Sequence, residues 1–168
     1  MEDQIINKVA ESGVVTLDLS QYIPSKDGVL FDIKEFLFAG LILKEKEFRE
    51  ALKKEAWEKY INKNIAITCS ADAIVPVWAY MLIVSYLQPH ANEIIFGTEN
   101  DLYAAIIIKN ISKINTSEFT DKRVVVKGCG DKKIDELAYV EATKILMPVV
   151  KSIMYGEPCS TVPIYKKK

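Results

Sequence analysis

The chain has 168 residues, 49% of them apolar and 27% charged, with only 7 glycines and 6 prolines, which excludes a disordered or low-complexity chain and fits a packed globular fold. Its 22 Lys and Arg balance 23 Asp and Glu, so no basic excess points to a nucleic acid, and the one histidine, His90, leaves little scope for histidine metal sites or triads. Three cysteines, an odd count, argue against a disulfide framework and make the thiols the feature to follow.

Met1-Glu2-Asp3-Gln4 is acidic and polar, without the basic and apolar regions of a secretory signal, so the expected setting is a reducing cytoplasm with free thiols. Gln4 to Glu11 reads as a short amphipathic helix ended by Gly13. Val14–Leu19 and Val29–Ile33 are β-type runs separated by Pro24 and Asp27-Gly28, which predicts an antiparallel hairpin. After the apolar piece Phe36–Leu43, Lys44 to Tyr60 is a charged helix with Phe48, Leu52 and Trp57 on its buried side, its charges forming a solvated face.

From residue 61 the pattern changes. Three strands, Asn64–Thr68, Glu93–Phe96 and Lys122–Val126, are each followed by a helix, at about 74–87, 99–111 and 134–153. Apolar rather than alternating strands in β-α units (64–88, 93–111, 122–153) predict a three-layer α/β fold with a mainly parallel sheet covered on both faces. No sequence repeat is evident among the units. The chain reads as one α/β domain over 1–168: an N-terminal helix and β-hairpin extension (1–60), a parallel β-α core (61–155) and a tail (156–168). Ala73–Leu87, the most apolar run, is shorter than the ~20 residues a membrane span needs and reads as a buried core helix. Neither nucleic acid nor membrane is an expected partner, and nothing in the sequence sets the oligomeric state.

Cys69 ends the first parallel strand and Cys129, in Gly128-Cys129-Gly130, follows the third; open α/β sheets place ligand sites at such strand ends. With the first strand central and the others on either side, the crevice between the Cys69 and Cys129 strands would be the topological switch point. Cys159 lies in the tail and reaches that crevice only if the tail folds back. Small neighbours at the thiols (Ser70, Gly128, Gly130 and Ser160) allow close approach of a bound group, whereas core cysteines usually sit within strands or helices. Three converging thiolates would favour zinc or an iron–sulfur cluster, with an open fourth position or a ligand from Asp72, Glu157 or His90. Thr68, Ser70 and Ser160 would hydrogen-bond to the sulfurs, and Lys127 would lower the thiol pKa. Two alternatives stand beside this one. The first is a metal-free thiol enzyme or sulfur carrier with Cys129 as nucleophile; the second is a non-catalytic interaction module with buried cysteines. Asp72 reads foremost as a helix N-cap and His90 as a surface imidazole. Gly128-Cys129-Gly130 continues into neither a dinucleotide fingerprint nor a phosphate-binding loop.

The segments Thr68-Cys69-Ser70-Ala71-Asp72-Ala73-Ile74-Val75-Pro76, Trp78-Ala79-Tyr80-Met81, Lys127-Gly128-Cys129 and Gly156-Glu157 with Cys159-Ser160, together with Asp32-Ile33-Lys34 and Gly40-Leu41-Ile42-Leu43-Lys44-Glu45-Lys46, resemble the bacterial family catalogued as domain of unknown function 2480. The resemblance covers nearly the whole chain and matches all three cysteine-bearing motifs. It implies no established activity. It does imply an association with sulfur-mobilisation (Suf-type) iron–sulfur assembly components, and so leans the three-thiol site toward cluster assembly or sulfur handling, with assembly proteins as partners.

Overall fold

A computed structural model of the chain describes residues 13–24, 28–128, 134–157 and 160–168. Contacts divide the chain into two compact units: Pro24–Ile106, here the inserted unit, and Met1–Ile23 with Ile107–Lys168, the split unit. Each carries its own mainly parallel sheet, as the apolar strands require.

In the inserted unit β2 (Gly28–Asp32), β3 (Asn64–Thr68) and β4 (Glu93–Phe96) lie side by side and parallel, in the order β2-β3-β4. The central strand is apolar without alternation because both its faces are covered. Ile65 and Ile67 join the cluster of Phe48 and Leu52 from α1 (Glu45–Lys54), and of Ile83 and Leu87 from α2 (Val77–Leu87). Ala66 points the other way, onto Leu102 and Ile106 of α3 (Glu99–Ser112). The small Ala66 leaves room for those two larger side chains. Trp57 plugs the end of the first cluster, stacked on Phe31 and Tyr86, with its indole N–H donating to the Leu52 carbonyl at 2.8 Å. On its outer face α1 carries exposed ion pairs such as Arg49–Glu45 (2.9 Å) and Lys53–Glu50 (2.8 Å), which solvent and salt screen.

In the split unit β1 (Val14–Asp18), β5 (Arg123–Lys127) and β6 (Ser152–Glu157) are parallel, and β7 (Ser160–Lys166) returns antiparallel along β6, giving the order β1-β5-β6-β7. The helix α4 (Glu136–Leu146) crosses from β5 to β6.

Several expectations change. Val14–Leu19 and Val29–Ile33 do not form a hairpin: β1 pairs with β5 and β2 with β3, both parallel. The cause is local. Each strand ends in an aspartate, Asp18 or Asp32, that caps a 3-10 turn and leads the chain into a crossover instead of back along its own edge. The last helix stops at Leu146, ahead of Pro148; residues 147–151 form a turn, and Ser152 and Ile153, expected as the helix end, begin β6. The tail from 156 is therefore the end of β6 and all of β7. The apolar helix α2 is buried on one face only, through Ala79, Ile83 and Leu87. The expected helix at Gln4–Glu11 lies outside the described residues.

The two units also repeat each other. A spacing of 59 residues separates Asn64 from Arg123 at the strand starts, Val77 from Glu136 at the helix starts, and Glu93 from Ser152 at the next strands. The same spacing relates the left-handed residues Asn62 and Asp121, and the positive-φ glycines Gly97 and Gly156. It also relates the loop hydrogen bonds Asn92 N–H to Lys63 carbonyl and Lys151 N–H to Lys122 carbonyl, both 2.8 Å. The repeat spans two β-α units, so a comparison among single units does not register it.

Candidate functional site at the carboxyl edges of the sheets

Parallel pairing puts the last residues of β1, β5 and β6 on one edge of the split unit. Asp18 stands opposite Lys127, and Val126 opposite Tyr155. The Lys127 ammonium lies between two carboxylates, 3.6 Å from Asp18 Oδ2 and 3.6 Å from Glu157 Oε2. Asp18 also accepts hydrogen bonds from the Ser20 hydroxyl (2.6 Å) and backbone N–H (3.0 Å). The Ser20 hydroxyl is the main reason that its carboxyl titrates below the usual range, and Lys127 adds to the effect against the opposing influence of burial. Counted together, the three groups are net negative, so the lysine is already matched. A thiolate beside them would find little free positive charge, which weakens the expectation that Lys127 lowers a thiol pKa.

The chain leaves this edge through residues with no room to spare. A side chain at Gly128 would overlap the Tyr139 hydroxyl and Ile134. Gly156 has φ +122°, and a Cβ there would meet the Ser160 carbonyl oxygen. Glu157 and Ser160 pair across the β6–β7 turn. Cys129 and Cys159 lie outside the described residues, but Lys127 and Glu157, each two residues earlier in the chain, are the groups in contact. The tail thus returns to the β5 edge by way of β6, a strand the sequence pattern did not disclose. Beside this edge, between α4 and the β5-β6-β7 strands, is a cavity of about 490 Å³, floored by Val126, Ile153 and Ile164 and bordered by Tyr139, Thr143 and Tyr155. The two tyrosine rings meet edge to face at 5.7 Å.

The corresponding edge of the inserted unit is built differently. Asp32 accepts from the Ser70 hydroxyl at 2.5 Å and the Ser70 N–H at 3.0 Å, so Ser70 is tied to a carboxylate and not to a sulfur. Burial raises the Asp32 carboxyl, but the hydrogen bonds from Ser70 and the Lys34 N–H outweigh it and leave the pKa below the usual value. Cys69 is partly buried against the aromatic cluster, with its thiol directed at the Ala71 carbonyl (3.6 Å). Nearby, burial raises the Tyr80 hydroxyl pKa, and the charge of the Cys69 thiolate adds to it.

Asp72 is exposed and does not cap α2, whose N-cap is Pro76. The chain bends at Ala71–Asp72, where the Ala73 N–H donates to the Ala71 carbonyl (2.9 Å), and Ile74 is then bridged to Ile42, so the helix starts five residues after Asp72. His90 sits in the turn after α2, its carbonyl accepting from the Asn62 N–H ahead of β3, and so lies at the opposite end of β3 from Cys69. The expected crevice between the Cys69 and Cys129 strands does not form: β3 neighbours β2 and β4, and β5 neighbours β1 and β6. Among the described residues no three His, Cys, Asp or Glu side chains form a metal-holding group; that set contains Cys69 but neither Cys129 nor Cys159. No helix of the described residues is long and apolar enough to cross a membrane.

Asp18 and the Asp32–Ser70 pairing were not foreseen. The signal that could have found the two aspartates is Val15-x-Leu17-Asp18-Leu19-x-x-Tyr22, echoed by Val29-x-Phe31-Asp32-Ile33-x-x-Phe36.

A family model described as a protein of unknown function (DUF2480) matches residues 3–167. No curated protein and no solved structure matches the chain.

Proposed function

The chain belongs to the DUF2480 family, and since that family's description assigns no activity, we propose from the residues themselves that it binds a metal ion or iron–sulfur cluster through cysteine thiolates. Cys129 and Cys159, both in the chain segment of the split unit, supply the ligands. One observation carries the reading: the Lys127–Glu157 contact at the ends of adjacent parallel strands, which draws together the segments that lead into Cys129 and Cys159. The net negative character of Asp18, Lys127 and Glu157 supports a cationic cargo over an activated, metal-free nucleophile. Thiolates select zinc, copper(I) or iron–sulfur clusters over hard cations, and a protein ligand set short of four leaves a position for transfer. In a reducing cytoplasm such a protein would serve as an accessory to iron–sulfur assembly, with an assembly protein as partner at the open position.

The test is anaerobic purification followed by metal and sulfide analysis and visible spectroscopy. Bound iron with sulfide, or zinc, is expected, with Cys129→Ser and Cys159→Ser each lowering it at least ~10-fold, since thiolate sites bind weakly once a ligand is lost. Metal-free protein in which Cys129 alone alkylates rapidly would replace this reading with a sulfur carrier. Thiols that react only after unfolding would remove both.

A further inference from the structure

The helix α2 is apolar on nearly every side, yet the sheet covers only one of them. Its outer stripe runs Val77, Met81, Val84, at the i, i+4, i+7 spacing of one helix face, with Val77 74% and Met81 69% exposed. Ile74, 92% exposed, leads into the stripe and is bridged to the exposed Ile42; Phe96, 72% exposed, adjoins it through its edge-to-face contact with Tyr80.

The repeat supplies an internal control. At a spacing of 59 residues, Ile74, Val77, Val84 and Phe96 become Lys133, Glu136, Thr143 and Tyr155; of the stripe only Met81 stays apolar, as Val140. At the described positions of this set the split unit carries Glu136, Thr143 and Tyr155, which border the cavity beside α4, where the inserted unit exposes Val77, Val84 and Phe96. Apolar side chains exposed together in this way mark a contact surface.

We propose that this face is the contact of a homodimer, the occupant being a second copy of the chain packed α2 against α2 about a twofold axis. Three features favour a second copy. The apolar surface of Ile42, Ile74, Val77, Met81, Val84 and Phe96 is on the order of 700 Å², above the usual largest patch of a monomer and close to the ~800 Å² that each partner gives a stable interface. A net charge of −1 gives two copies almost no mutual repulsion. A single stripe of side chains at i, i+4 and i+7 is self-complementary when two such helices cross, as a twofold interface requires. This inference does not rest on the thiolate site.

Sedimentation velocity and light scattering of the full chain test it. The wild type is expected to be a dimer at about 10 µM, and Val77→Glu, which installs the residue of the split unit, or Met81→Glu, to raise the dissociation constant at least ~30-fold while circular dichroism stays unchanged. Val140→Glu on α4 is expected to leave the dimer intact. A wild-type chain that stays monomeric at about 100 µM overturns the proposal, whether another protein, residues 1–12 or nothing covers the stripe. A dimer that neither Val77→Glu nor Met81→Glu weakens overturns it equally.

Discussion

At the carboxyl edge of the split unit an ammonium is held between two carboxylates; at the same edge of the inserted unit an aspartate is held by a serine. Around these two edges β3, α2, β4 and Gly97 correspond to β5, α4, β6 and Gly156, while β7 is an addition of the split unit. The difference therefore lies in the side chains that one architecture displays. The split unit concentrates charge where its strands end and borders the cavity beside its helix with Glu136 and Thr143. The inserted unit keeps its edge hydrogen-bonded and its helix face apolar. One β-α-β arrangement thus displays a charged edge in one unit and an apolar helix face in the other.

The broadest way to challenge that correspondence is to truncate the same core position in both units. Leu87 and Leu146 are fully buried at the ends of α2 and α4, and Leu→Ala at either is expected to cost about 3 kcal/mol, read from urea unfolding. A loss in one unit several-fold larger than in the other would show that the two cores are not equivalent.

The turn glycines sharpen the comparison at a smaller scale. Gly97→Ala and Gly156→Ala both strain a positive φ, but their neighbours differ. An added Cβ at Gly97 meets the Asp101 carboxylate, which can rotate away and leave only the Asp101 Cβ at 2.9 Å, whereas at Gly156 it meets the Ser160 backbone carbonyl oxygen at 2.5 Å, which cannot. About 1 kcal/mol is expected for the first and about 2–3 kcal/mol for the second, by thermal or chemical denaturation.

The smallest effects are in titration. Asp18 and Asp32 both have depressed pKa values. Their stabilisation is thus complete above the ordinary carboxyl value of about 3.9, and is lost as pH falls through the folded values. Carboxyl NMR titration is expected to show Ser70→Ala raising the Asp32 pKa and leaving Asp18 in place. High salt should raise Asp18 more than Asp32, because Asp18 is ion-paired with Lys127 at 3.6 Å whereas the pull of Lys34 is the smallest influence on Asp32. Equal salt responses would remove the electrostatic contrast between the edges.

Much of this architecture is legible in the chain itself. Ile65-Ala66-Ile67 and Val124-Val125-Val126 are uninterrupted apolar runs, and such runs form only where both faces are covered. The stripe of Phe48 and Leu52 against glutamates and lysines marks α1 as plainly. Strand partnership is another matter, because it is a non-local property. Nothing near Val14–Asp18 encodes that its neighbour is Arg123–Lys127. β6 was masked by helix-compatible residues on both sides of Pro148. The 59-residue repeat preserves few identities, among them Ala79/Ala138, Tyr80/Tyr139 and Leu87/Leu146, because burial constrains size and polarity more than residue type. At the site, the residue types and the strand-end position of Cys69 could be read in advance. The Asp18–Lys127–Glu157 cluster could not, since an aspartate after a strand looks like any turn residue until its partner strand is known.

The pairing of β1 with β5 has a consequence for how the chain comes into being. On the ribosome, residues 24–106 emerge as one uninterrupted stretch holding every strand of the inserted unit, which can close its core while synthesis continues. β1 emerges before any of it, yet must wait for Arg123–Lys127 to find a neighbour. A folded insertion between the two halves keeps their intervening chain compact, so the distance over which β1 must search is far shorter than an unfolded connection of that length would leave. The charged edge of Asp18, Lys127 and Glu157 can therefore assemble only after the whole inserted unit has been made.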